Sequence, residues 1–303
     1  ATNSPASYRK LPQAGAVLAG PGFDNRRRWC FATIVTGPPG DKGRKRAYLP
    51  DFTVTGTPIA NRTWKQVRFV STATKMQTYH PNSPLARHPY AKTALVLQGG
   101  GALGAYQAGV YEVMLESGLS IDWVAGISIG AVNAAIIAGN PAELRAQRLR
   151  EFWERITSRL SVPIPPWGDE ARRVFNRYSA ATTILAGQPG FFAPRFPPAL
   201  THPRGSDGAT SVYDTALLRN TLLELVDFDL INRGPMRLSV GAVNISNGNQ
   251  VYFDSADREI HVEHIMASGA LPPGFPPVMI EGQAYWDGGL VSNTPLTYVI
   301  DTE

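Results

Sequence analysis

The chain has a single cysteine, Cys30, among 303 residues. An intramolecular disulfide is therefore excluded, a thiolate metal site would need its other ligands from elsewhere, and the lone thiol suits a reducing compartment. Long apolar runs are missing as well. No stretch reaches the ~20 residues that a membrane span needs, and the best one, residues 124–139, is interrupted by Ser128 and Asn133. Near the N-terminus Arg9 and Lys10 precede LPQAGAVLAG, but Pro12 and Gln13 break that short run, so export is not expected. The first third is poor in acid. Residues 1–90 hold 14 Lys+Arg against 3 Asp+Glu, a net of +11, whereas residues 91–303 hold 15 against 21, a net of −6. The overall charge of +5 thus describes neither part. The chain begins at Ala1 rather than Met, from which a processed form or a fragment is expected.

What is present divides in two. Residues 1–92 are rich in Pro, Gly, Arg and Thr and include RRR at 26–28 and KGRKR at 42–46. Their poor periodicity predicts a basic, poorly structured extension, with short strands possible at 30–36 and 66–71. The competing reading is a basic arm for anionic lipid or nucleic acid. No aromatic interleaving supports it, and no nucleic-acid partner is expected. From residue 93 the texture becomes regular. Residues 93–98 read as a strand, 104–117 as a helix, 121–125 as a buried strand, 129–138 as a helix of small residues and 141–159 as an amphipathic helix. Strand, helix, strand, helix at these lengths means an α/β fold.

Residues 160–211 carry most of the mid-sequence prolines and read as a cap or surface loop over the core, with one helix at 170–185. Phe191, Phe192 and Phe196 in this stretch either meet an acyl chain or fasten the loop to the core; the sequence leaves both open. A helix is expected at 213–226, a hairpin from 236–244 and 250–253 around SNGN, a helix at 262–271 and short strands at 278–280 and 284–286.

Three signals carry chemistry. Gly126-Ile127-Ser128-Ile129-Gly130 lies between a strand and a helix, the setting of a nucleophile elbow, in which a tight turn lifts the serine hydroxyl clear of the sheet. The helix N-terminus aims positive partial charge at the same place. Gly99-Gly100-Gly101-Ala102-Leu103-Gly104 follows a strand directly, and its backbone amides can turn towards an anion. In an acyl hydrolase they would hold the oxyanion. The same residues also match G-x-G-x-x-G, and Asp122 lies near the spacing of a ribose-binding acid. A dinucleotide site is therefore a rival reading, although it puts Asp122 at the wrong end of its strand and leaves Ser128 unexplained. The third signal is Asp287-Gly288-Gly289. A serine nucleophile needs a base, and the usual base is a histidine held by a carboxylate. No histidine follows Asp287. His261 and His264 could serve a Ser-Asp-His triad, though their place at the opening of a helix favours capping or packing.

GGGALG, GISIG and DGG, with ASGALPPGFPPVMIEGQAYWDGGLVSNTP at 267–295, resemble the patatin-like phospholipase family over residues 93–301. The resemblance implies a three-layer α/β/α fold with a central, mostly parallel sheet over 93–303. It implies a serine acyl hydrolase acting on lipid or other esters, with Ser128 as nucleophile and Asp287 as proton acceptor. Gly99, Gly100 and Gly101 would be oxyanion donors, and Gly104, Gly126, Gly130, Gly288 and Gly289 would support the motifs. No metal or cofactor is implied. A cytoplasmic or membrane-peripheral location, with transient contact at a membrane surface, would suit such an enzyme. Two departures stand out. Leu103 occupies a position where many members carry Arg or Lys, and the chain ends 16 residues after Asp287, where members usually continue, so a C-terminal truncation is expected.

Overall fold

A computed structural model describes residues 32–37, 54–55, 70–71, 92–157 and 168–302. The expected disorder of the remainder of 1–92, and the start of the Pro-rich stretch at 160–167, lie outside the described residues. In chain order, β1 (Ala32–Gly37), β2 (Val54–Thr55), β3 (Val70–Ser71) and β4 (Lys92–Leu97) lead to α1 (Gly104–Glu116), β5 (Trp123–Ile127), α2 (Ile129–Ala138), α3 (Arg145–Thr157) and α4 (Gly168–Ala186). A short pair, β6 (Ala193–Pro194) and β7 (Tyr213–Asp214), precedes α5 (Ala216–Leu225) and α6 (Phe228–Arg233). The chain closes with β8 (Arg237–Asn244), β9 (Gln250–Asp254), α7 (Val262–Ser268), β10 (Val278–Ile280), β11 (Gln283–Asp287) and α8 (Leu296–Thr302).

The sheet is mixed. Its middle strands β4, β5 and β8 run parallel, while β1, β9, β11 and β10 add antiparallel edges. Part of the basic extension therefore belongs to the sheet, because β1 pairs with β4 from Ala32↔Leu97 to Gly37↔Lys92. Alternate residues of the parallel strands face opposite layers, as a period of two requires. Leu95, Leu97, Val124, Leu238 and Val240 join the larger core with α1, α2, α3, α5 and α7. Ala94, Val96, Trp123 and Ala125 join a smaller core with Val299, packed by Leu296 and Tyr298 of α8. All ten residues of α2 are buried, which is why its sequence is small and apolar on every face.

Element boundaries differ from the sequence reading where tertiary contacts decide them. β5 sits two residues later than expected because its partners are set by β4 and β8. The expected helix at 213–226 opens instead as β7, since Tyr213 and Asp214 pair with Pro194 and Ala193. α7 stops at Ser268, three residues early, where Gly269 ends the helix. The Pro-rich stretch is fastened to the core. Phe191 packs on Phe152 and Phe275 at 6.4 and 6.0 Å, and Phe192 packs on Tyr213 and Phe275 at 4.7 and 5.3 Å. Phe196 stands apart from them, 92% exposed.

Candidate active site

The register of β8 builds the site. β9 covers one edge of β8 over Ser239–Val243. The other edge is shared: β5 pairs with it up to Ile127↔Gly241, and β11 takes over at Asp287↔Ala242. Two strands thus meet head to head, and Asp287 arrives beside the residue that follows Ile127. That residue is Ser128.

The chain turns from β5 into α2 through Ser128 alone, at φ 56° and ψ −127°. Among the described residues only Ser128 and Glu281 have positive φ without being glycine. Such a conformation costs on the order of 1–3 kcal/mol and persists where the surroundings overdetermine it. Here they do. A Cβ at Gly126 would collide with the Gly130 carbonyl, and a Cβ at Gly130 with the Leu97 carbonyl. The Gly-x-Ser-x-Gly spacing is therefore a packing requirement at the start of α2. A third tie is the fully buried Ser268 hydroxyl, which accepts the Ser128 N–H at 3.0 Å and donates to the Gly241 carbonyl at 2.6 Å.

Asp287 is 2% exposed. Its backbone N–H donates to the Ala270 carbonyl at 3.0 Å, and its Oδ1 accepts the Gly289 N–H at 2.7 Å. Burial pushes its pKa above the ordinary aspartate value, and the hydrogen bonds from the Ser128 hydroxyl and the Gly289 amide offset that only in part. Among the described residues no cation pairs with it. A carboxylate with few donors and no counter-charge keeps basicity that a fully bonded one loses.

The glycine loop faces the pair, but its amides differ. The Gly99 N–H donates to the Asn293 carbonyl at 3.1 Å, so that amide is engaged, and Gly99 itself is buried. Gly100 and Gly101 are exposed, and among the described residues their amides have no acceptor. Of the three expected oxyanion donors, only these two remain open. Asn293 also donates through Nδ2 to the Gly99 carbonyl at 3.0 Å, joining the glycine loop to the chain after Asp287-Gly288-Gly289. From the other side, Gln107 Nε2 donates to the Gln98 carbonyl at 2.8 Å, and Asn133 Nδ2 donates to the Gly104 carbonyl and to Gln107 Oε1 at 3.0 and 2.8 Å. Gly104 itself lies against Ile129 and Trp153, and Gly288 against the Gly241 carbonyl.

The two rival readings find no support in this geometry. α7 places Ser268, its last residue, against the elbow. His264 and His261 therefore lie about 6 and 10 Å further back along the helix axis, at a rise of about 1.5 Å per residue. His264 Nδ1 accepts the His261 N–H at 2.8 Å, a helix-start bond. Burial first, and then neighbouring His261, lower its pKa to about 4. His261 lines a surface cavity of about 390 Å³ with Asp227 and Arg233; Asp227 binds Gly139 at the far end of α2 from Ser128. Asp122, the ribose acid of a dinucleotide site, accepts the Thr93 N–H at 2.8 Å and so ties two strand starts together at the opposite end of the sheet. Among the described residues no group of three or more His, Cys, Asp or Glu gathers as a metal site, and no helix is long and apolar enough to cross a membrane.

Ser268 and Asn293 escaped the sequence reading. Both lie in the 267–295 stretch, yet nothing local identifies a buried serine or an Asn-x-Pro as a tie between distant loops.

Comparison with known proteins adds the family. The chain is 43% identical over 51 residues to the triacylglycerol lipase SDP1L of Arabidopsis thaliana, covering 17% of this chain and 6% of that protein. It is 43% identical over 66 residues to human patatin-like phospholipase domain-containing protein 6, covering 22% and 5%. With lysophospholipase NTE1 of Chaetomium globosum it shares 44% over 91 residues, 25% of this chain and 6% of that protein. The chain thus spans only a small part of the curated relatives it matches. The crystal structure of VipD from Legionella pneumophila aligns with a TM-score of 0.34 at 18% identity, over 65% of this chain and 45% of that one. The model of the patatin-like phospholipase family matches residues 95–300, which hold every element from β5 to β11 and both Ser128 and Asp287, and the chain belongs to that family.

Proposed function

We propose that this chain is a lipid acyl hydrolase that works through an acyl-enzyme on Ser128 with Asp287 as general base. One observation carries the reading: the strand register brings the buried Asp287, whose pKa stands above the ordinary value, beside Ser128 on its strained elbow. Asp287 takes the Ser128 proton as Oγ attacks the ester carbonyl. The carbonyl electrons move onto oxygen, where the Gly100 and Gly101 amides and the N-terminus of α2 stabilise the charge. Collapse expels the alcohol, which leaves with the proton from Asp287. Asp287 then deprotonates water, which attacks the acyl carbon and returns Ser128 with release of the fatty acid.

Exposed apolar side chains close to the motifs in the chain suit an apolar, uncharged ester. Leu103, Leu271, Leu290 and Val291 are 42%, 48%, 47% and 57% exposed, and each lies within four residues of Gly101, Ser268 or Asp287 in the chain. Leu103 supplies no cation for an anionic head group, so acylglycerols should be cut faster than anionic phospholipids of equal chain length. The primary test is a fluorophosphonate probe. Label on Ser128, located by peptide mass, is expected; label elsewhere or none overturns the reading.

A further inference from the structure

We propose that Ser268 is a positioning residue for the nucleophile: its hydroxyl holds the Ser128 backbone in the elbow conformation and thereby aims Ser128 Oγ. This rests on the catalytic reading of Ser128 above.

The direction of both hydrogen bonds is forced. A backbone N–H only donates and a carbonyl only accepts. Ser268 Oγ therefore accepts from Ser128 N–H and donates its own proton to the Gly241 carbonyl, at 3.0 and 2.6 Å. The hydroxyl cannot rotate to any other task without leaving a buried partner unmet. The two ends it joins matter. Gly241 is the β8 residue opposite Ile127, and the next residue, Ala242, is opposite Asp287. The relay thus references the nucleophile to the point on β8 where β5 stops and β11 begins. It also engages the Ser128 amide itself, leaving oxyanion binding to other donors. Ser128 is the residue whose φ of 56° needs outside support. A hydroxyl at the end of α7 supplies it from a third element, independent of the Gly126 and Gly130 contacts.

A purely structural serine would behave differently, and the fold contains a control. Ser239, on β8, is also fully buried, and its Oγ donates to Asp254 at 2.6 Å and accepts from Trp123 Nε1 at 2.7 Å. It touches neither the elbow nor Asp287. The test compares Ser268→Ala, Ser268→Thr and Ser239→Ala. Each is assayed for melting temperature, for kcat and KM on a short soluble ester, and for the rate of fluorophosphonate labelling of folded protein. Ser268→Ala should lower kcat and labelling rate together by about tenfold to a hundredfold, the scale of a misplacement of about 1 Å, with KM within about twofold. Ser268→Thr, which keeps the hydroxyl, should recover part of both rates. Ser239→Ala should lower the melting temperature and leave both rates near the parent's.

Labelling of Ser268→Ala within about twofold of the parent overturns the inference, as does an equal loss of rate in Ser239→Ala. If Ser268→Ala does not fold, Ser268→Thr decides: a folded threonine variant with no more labelling than a Ser128→Ala background also overturns it. Absence of label on Ser128 in the parent protein overturns the catalytic reading and this inference with it. Label on Ser128 in the parent with unchanged Ser268→Ala removes this inference alone.

Discussion

Two buried aspartates on strands beside β8 have opposite fates. Asp254, 1% exposed, accepts from Arg237 Nε and Nη2, from Ser239 and from Tyr298, at 2.6 to 3.1 Å, and its Oδ1 also accepts the Ala256 N–H. Burial pushes its pKa up, but these donors together outweigh burial and the net shift is downward. Asp287 is equally buried, yet it has only the Ser128 hydroxyl and the Gly289 amide, and its pKa ends above the ordinary value. The donor count and the guanidinium separate the two. A carboxylate surrounded by donors is structural and inert, whereas one left short of them retains a tendency to take a proton, which is what a base requires.

The comparison breaks most sharply at the nucleophile pair. Ser128→Ala and Asp287→Asn should each lower ester hydrolysis by about a thousandfold or more, with circular dichroism unchanged; residual activity near the parent's in either would remove the contrast between the two aspartates. At the other aspartate the damage should fall on stability. Arg237→Ala leaves Asp254 buried without its cation and should cost about 3 kcal/mol or more, read by denaturant unfolding, while kcat of the folded fraction stays within about twofold.

The pH dependence should carry opposite signs. A lowered pKa gives Asp254 a stabilising contribution that is present above the ordinary aspartate value and lost as acid reaches its folded pKa. For Asp287 the raised pKa means that the folded state binds the proton more tightly, so stability falls as pH rises from the ordinary value through the raised one. Asp287→Asn should therefore melt a few degrees above the parent at pH 7, about 2–4 °C for each kcal/mol. That gain should vanish below the ordinary value of 3.8. Activity should show an acid limb set by Asp287, lying above the midpoint of an exposed aspartate. The smallest effect is expected at the histidines. His264→Ala and His261→Ala should change kcat by less than about twofold, and a dead variant at either would restore the triad.

Much of this was legible in the chain. α2 falls where its small, apolar sequence predicts, and Ser128 sits between β5 and α2 because Gly126 and Gly130 leave room that no larger residue allows. The β10–β11 turn at Glu281 and Gly282, both at positive φ, was equally readable, since turn chemistry is local. α8, the split of 213–226 into β7 and α5, and the early end of α7 were not, because each is set by a partner far away in sequence.

The sequence by itself determined the motifs and their order, which together point to a serine and an aspartate. Those signals are short-range and depend on glycine and on residue type. Only the tertiary structure decided that β11 takes over the edge of β8 where β5 stops, bringing Asp287 to Ser128. It alone showed that the Gly99 amide is engaged by Asn293 while Gly100 and Gly101 stay open, and that Ser268 holds the elbow. The partners in these contacts lie 140 to 194 residues apart in the chain. No local pattern encodes such a pairing; it follows from strand register and from which buried donors find an acceptor once the sheet closes.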